Sequence, residues 1–166
     1  MLLGQEKFLS TDKRMYTFTL HLSANLIASN SNRSDQAALT NYKASIKRHL
    51  ERGLGRKNVA TWFALESKDR QRATTHPHIH GVIIVADKEL PAVKRALRNA
   101  AGGIDAPNNA VKMDLLKTPA DAWCWSIYAL KNASPVYVSR NLSKIGRELW
   151  KKYRSNAEVK TGHQGF

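Results

Sequence analysis

The sequence predicts an α+β domain, an antiparallel sheet flanked by helices. Three observations lead there. Strand and helix patterns alternate irregularly, two strand patterns follow each other directly, and glycine or proline marks the ends of the helix patterns. A doubly wound parallel sheet would need regular βα alternation instead.

The first element is Met15 to Leu22, where Tyr16, Phe18, Leu20 and Leu22 alternate with Thr17, Thr19 and His21. That period of two describes a half-buried strand. Residues 23–34 read as a polar loop, and Ser34 or Asp35 can cap the helix that follows. Over 35–52, Leu39, Tyr42, Ile46 and Leu50 form one apolar stripe, and Gly53 and Gly55 end it. A second strand covers 59–66. A basic connection, 67–75, leads to a third strand from His78 to Val85, so these two strands can form a hairpin. A helix over 89–101 is stopped by Gly102-Gly103. Residues 111–116 suit an edge strand. Thr118, Pro119 and Asp121 open another helix as cap, first-turn proline and acidic dipole partner. On it, Trp123, Ile127 and Leu130 read as the anchoring stripe, with Tyr128 off it. Pro135 and Val136–Val138 suggest an exit and a short strand, and 142–153 a last short helix. Taken together the order matches a split βαβ (ferredoxin- or RRM-like) arrangement. The expected organisation is a lead-in over 1–14, one domain over 15–154 and a flexible tail over 155–166.

The chain has 166 residues, enough for one core-forming domain. Its 27 Lys and Arg against 13 acidic residues give a net charge of +14. Such a surplus favours a polyanion, with nucleic acid ahead of a lipid surface. A single cysteine, Cys124, excludes an intrachain disulfide framework. No secretory signal, membrane-length apolar run or glycine-rich phosphate loop is present in the sequence.

The densest chemical signal is Thr75-His76-Pro77-His78-Ile79-His80-Gly81. Strand alternation puts His78 and His80 on one face and Ile79 on the other, in the core. Two imidazoles side by side are plausible ligands for a divalent metal. Glu66, at the end of the preceding strand, offers a hard oxygen ligand suited to Mg²⁺ or Mn²⁺. His76 competes as an additional ligand, although Pro77 bends the chain beside it. A structural zinc site has too few cysteines. The bland alternative is a solvent-facing strand with no ion.

The second signal is Tyr128-Ala129-Leu130-Lys131. Tyr128 and Lys131 share a helix face. A tyrosine on a rigid helix can attack a phosphodiester, with a metal polarising the phosphate and Lys131 holding it. The bland alternative is a half-buried tyrosine beside a solvated lysine. Tyr16 and Tyr42 look structural, Tyr137 is an unpersuasive second nucleophile, and Tyr153 can stack on a base. Lys68, Arg70, Arg72, Lys94, Arg95, Arg98 and Arg140 are sensible backbone contacts for DNA.

With these residues in hand, the chain resembles the HUH endonuclease superfamily, and within it the single-tyrosine rolling-circle replication initiators (Rep proteins) of plasmids and phages. The resemblance spans roughly residues 15–131. It rests on His78-Ile79-His80 within THPHIHGVI, on Tyr16–Leu20 as a first motif, on Glu66 at the third-ligand place, and on the Tyr-x-x-Lys of Tyr128 and Lys131. It implies an HUH nuclease fold and a Mg²⁺- or Mn²⁺-dependent nick in single-stranded DNA at an origin or hairpin. The tyrosine would stay on the 5′-phosphate, and the same site could rejoin the strand. Many initiators continue into a helicase domain, for which this chain has no room, so the resemblance leaves two alternatives, a nuclease domain cut from a longer protein or a short initiator that uses a host helicase. Position 129 is Ala and 132 is Asn, against the two-tyrosine initiators. The implied place of action is at DNA in the cytoplasm of a bacterial host. Competing readings are a small transposase or relaxase with the same chemistry, and a non-catalytic nucleic-acid-binding module using its open sheet.

Overall fold

The computed structural model describes residues 12–67, 76–131, 135–148 and 151. Its chain order is β1 (Lys13–His21), α1 (Ala24–Ala28), α2 (Asp35–Leu54), β2 (Thr61–Glu66), β3 (His78–Ala86), α3 (Leu90–Ala100), β4 (Val111–Leu115), α4 (Pro119–Leu130) and β5 (Val136–Val138). A further helical segment covers 140–148. The strands form one five-stranded sheet in the order β4-β1-β3-β2-β5, with every neighbouring pair antiparallel. The first four strands have the order of a ferredoxin-like split βαβ unit, and β5 extends the β2 edge.

Local sequence explains the element ends. Ser34 caps α2 by accepting the Ala37 N–H, and Gly55 closes it in the left-handed region at φ 62°. The helix therefore runs on through Gly53 to Leu54, past the expected end at residue 52. Thr118 and Asp121 form a reciprocal capping box at α4 with Pro119 in the first turn. Two expectations shift. β1 starts at Lys13 rather than Met15, and the expected loop over 23–34 contains α1, capped by Ser23 accepting from Leu26 N–H.

Alternation divides the sheet into two faces. Tyr16, Phe18, Leu20, Phe63, Leu65, Ile79, Ile83 and Val85 point to one, where α2 and α3 cover them with Leu39, Tyr42, Ile46, Leu50, Val93 and Leu97. This is the hydrophobic core. Gly81 sits within it because a Cβ there would come 2.5 Å from the Phe18 ring and from the Trp62 carbonyl. By their register, Thr17, Thr19, His21, Ala64, Glu66, His78 and His80 lie on the opposite face. No helix among the described residues is long and apolar enough to cross a membrane.

Candidate metal centre

The β2–β3 hairpin builds the site. Its register sets Glu66 opposite His78 and Ala64 opposite His80, so the Glu66 carboxylate and both imidazoles emerge together. Glu66 Oε2 lies 2.9 Å from His80 Nε2 and 3.2 Å from His78 Nε2. One ligand atom from each of the three residues falls within 4.8 Å of the others. The two rings meet edge to face, with centroids 4.6 Å apart.

The far nitrogen of each ring is held. His78 Nδ1 donates to the His76 carbonyl at 3.0 Å, which fixes the proton there because a carbonyl only accepts. That leaves Nε2 facing the Glu66 carboxylate. His80 Nδ1 lies 3.1 Å from the Thr19 hydroxyl on β1. Partners of this kind orient a metal-binding imidazole. Burial, reinforced by the neighbouring His78, pushes the His80 pKa down to about 4. Its ring is 3% exposed and neutral near pH 7, as a ligand must be. One carboxylate and two imidazoles, brought together in this way, suit a divalent cation. The cluster is a metal-binding arrangement of the kind that serves enzymatic catalysis.

The site's roof is α4. Its sheet-facing stripe is Ala122, Trp125, Ser126 and Ala129, and Trp125 Nε1–H donates to the Gly81 carbonyl at 3.2 Å. Trp123, Ile127 and Leu130, expected to anchor this helix, are instead exposed. Trp125 makes the polar and ring contacts on this side, and Ala122, Ser126 and Ala129 flank it. The Trp125 ring meets His80 edge-on at 5.4 Å and stacks with Tyr128 at 5.4 Å. Tyr128 itself meets His80 at 5.2 Å and remains 44% exposed. Lys131 holds its ammonium 4.0 Å above the Tyr128 ring. Thr17 and His80 are thus buried on this face, His80 beneath the Trp125 and Tyr128 rings of α4.

Glu66, His78, His80, Tyr128 and Lys131 therefore come together. His76 contributes its backbone oxygen to His78, and its ring lies outside the cluster. Tyr137 pairs with Phe63 on the opposite face, away from the histidines. Lys94, Arg95 and Arg98 stand on α3, on the core side. Arg98 donates to the carbonyls of Ala106 and Pro107. Arg140 stands beyond β5 at the α2 side. Lys68, Arg70, Arg72 and Tyr153 lie outside the described residues.

Sequence reasoning missed Thr19, Trp125 and His21. The His21 ring stacks on His78 at 5.7 Å. Each lies on a strand or helix whose register against the histidines decides its place, and register is weakly written in sequence. The detectable signal was the polar parity of Thr17, Thr19 and His21. No protein-family model matches the chain, and no curated protein matches it.

Proposed function

We propose that the protein nicks and rejoins single-stranded DNA through a covalent tyrosine link, as the resemblance to rolling-circle replication initiators implies. The observation that carries this reading is the meeting of Tyr128 with His80, 5.2 Å between rings, at a Glu-His-His cluster. A structural metal site has no need of an exposed tyrosine at its edge. A bare binding face would not bury His80 against Glu66.

Glu66, His78 and His80 would hold Mg²⁺ or Mn²⁺. When bound, such an ion polarises a scissile phosphate and offsets the charge that develops on it. Trp125 and Ala129 fix α4 on the sheet, which holds Tyr128 beside that phosphate. The Tyr128 oxygen forms a bond to phosphorus as the bond to the 3′-oxygen breaks. The phenolic proton leaves to solvent and the departing 3′-oxygen takes one up. Lys131, above the ring, supplies a positive charge for the phosphate. Because the phosphotyrosine keeps a phosphodiester bond, a 3′-hydroxyl can reverse the step. The surplus of basic residues draws the strand to the protein. An initiator of rolling-circle replication fits this reading. A transposase or relaxase would use the same residues on a different DNA event.

The test is covalent capture of a labelled single-stranded oligonucleotide library, with Mn²⁺ or with EDTA. We expect an adduct of protein plus DNA in Mn²⁺ alone, lost at least 10³-fold in Tyr128→Phe, on the scale of removing a nucleophile. DNA binding with no adduct under any condition would overturn the reading in favour of a binding module. An adduct that persisted in Tyr128→Phe would move the nucleophile elsewhere.

A further inference from the structure

On the core side of the sheet, beyond the β2 edge, lies a cleft of about 370 Å³ between α2 and the β2–β5 pair. Lys43 and Lys47 of α2 line one side, and Tyr137 and Arg140 the other. Its walls are braced. Ser139 N–H donates to the Thr61 carbonyl at 2.9 Å, and Thr61 N–H donates back to the Ser139 hydroxyl at 3.1 Å. Asn141 ties the far wall to the α2–β2 turn by donating to the Asn58 carbonyl at 2.6 Å.

The charge in this cleft is unbalanced. Glu51 is its one carboxylate, and it is already engaged, accepting from Asn58 N–H at 3.0 Å with Lys47 4.0 Å away. Among the described residues Lys43 and Arg140 have no carboxylate within ion-pair reach. The Lys43 ammonium lies 5.1 Å over the Tyr137 ring, at the mouth of the cleft that both line. Concave shape, three cations and a rigid floor together suit phosphate groups.

The cleft also borders the metal-bearing face. Only β5, an edge strand of three residues, separates the two at this side of the sheet. Val136 and Val138 alternate with Tyr137 and point to the metal-bearing face, each 44% exposed. Glu66 lies five residues along β2 from Thr61 of the cleft, roughly 17 Å at strand rise. A single strand leaving the metal centre can pass over β5, where its sugars meet the two valines, and set phosphates into the cleft.

We propose that this cleft is a second phosphate-binding site, which takes the sugar–phosphate backbone of the substrate strand a few nucleotides from the nick. The existence of the site stands on the cleft alone, and its relation to the nick rests on the nickase reading above.

The experiment measures binding of a labelled single-stranded 20-mer by fluorescence anisotropy, in EDTA, across a salt series. It compares the wild-type chain, Lys43→Gln/Lys47→Gln/Arg140→Gln, and a control with the same charge change at exposed positions on α2 and just before α3, Arg48→Gln/Arg52→Gln/Lys88→Gln. The slope of log K against log salt reports phosphates neutralised, about 0.7 for each on a single strand. We expect the cleft variant to lose about 2 from that slope and to bind at least tenfold more weakly, with the control near wild type. Circular dichroism and melting confirm that both variants fold. Equal losses in the two variants, or an unchanged slope in the cleft variant, would overturn the site. Competition by a mononucleotide as strong as by the oligonucleotide would overturn the polynucleotide assignment in favour of a free nucleotide. Absence of any covalent adduct from the wild-type chain in Mn²⁺, with the slope change of the cleft variant intact, would sink the nickase reading and leave the cleft standing.

Discussion

Against one face of the sheet, α2 and α3 bury Leu39, Tyr42, Ile46, Leu50, Val93 and Leu97 on a floor of Phe18, Ile79, Ile83 and Val85. Against the other, the one buried residue of α4 is Ala129, and the helix turns Trp123 to solvent with 63% of its surface exposed. The first face is close-packed hydrocarbon. The second places a carboxylate, two imidazoles and a threonine hydroxyl under a thin helical cover. Stability and chemistry are thus assigned to opposite sides of the same strands, and Ile79 and His80, neighbours in sequence, serve one each.

The sharpest way to break this division is to cut into both sides. Phe18→Ala removes a fully buried ring and should lower the unfolding free energy by about 3–5 kcal/mol. Ile127→Ala, on the exposed side of α4, should change it by less than about 0.5 kcal/mol. Urea denaturation of the two variants checks the contrast. Comparable losses would mean that α4 is anchored through its outer stripe after all.

Acid probes the polar face. In the unfolded chain His80 has an ordinary histidine pKa near 6.5, and in the folded chain burial and His78 hold it near 4. Between those values the unfolded state binds more protons, so the group favours folding above pH 6.5 and loses that contribution as pH falls towards 4. The loss is at most about 3 kcal/mol for a shift of this size. Denaturation at stepped pH in chelator should show that decline for the wild type. It should be reduced in His80→Gln, which cannot titrate.

Much of this plan was legible beforehand. Alternation through Tyr16–Leu22 and around Ile79 marks which side chains share a face, and Ser34 and Thr118 mark two helix starts. Glu66, His78, His80, Tyr128 and Lys131 could be named because each belongs to a residue type with restricted chemistry. What sequence leaves open is register. That Glu66 faces His78 depends on the hairpin, and that Thr19 faces His80 depends on how β1 lies against β3. The orientation of α4 was misread for a different reason. Both of its faces are apolar, and the larger stripe, Trp123-Ile127-Leu130, outweighs Ala122-Trp125-Ser126-Ala129 in hydrophobicity. The indole of Trp125, which donates to the Gly81 carbonyl and meets His80 edge-on, ties the helix to the sheet through the second stripe.

A finer probe of the polar face is Thr19→Val, which keeps the side-chain shape and removes the hydroxyl beside His80 Nδ1. Losing such a partner should weaken Mn²⁺ binding about 10–100-fold without moving the stoichiometry. Isothermal titration reads both quantities. No change in affinity would mean that the hydroxyl does not orient the ring.

The central claim is that Glu66, His78 and His80 form one divalent-metal site. The most direct measurement is an Mn²⁺ titration followed by electron paramagnetic resonance, on the wild-type chain and on His80→Ala. One ion per chain in the wild type, with that site lost in the variant, is the expected result. No stoichiometric ion in the wild type, or the same ion bound as tightly without His80, would contradict it.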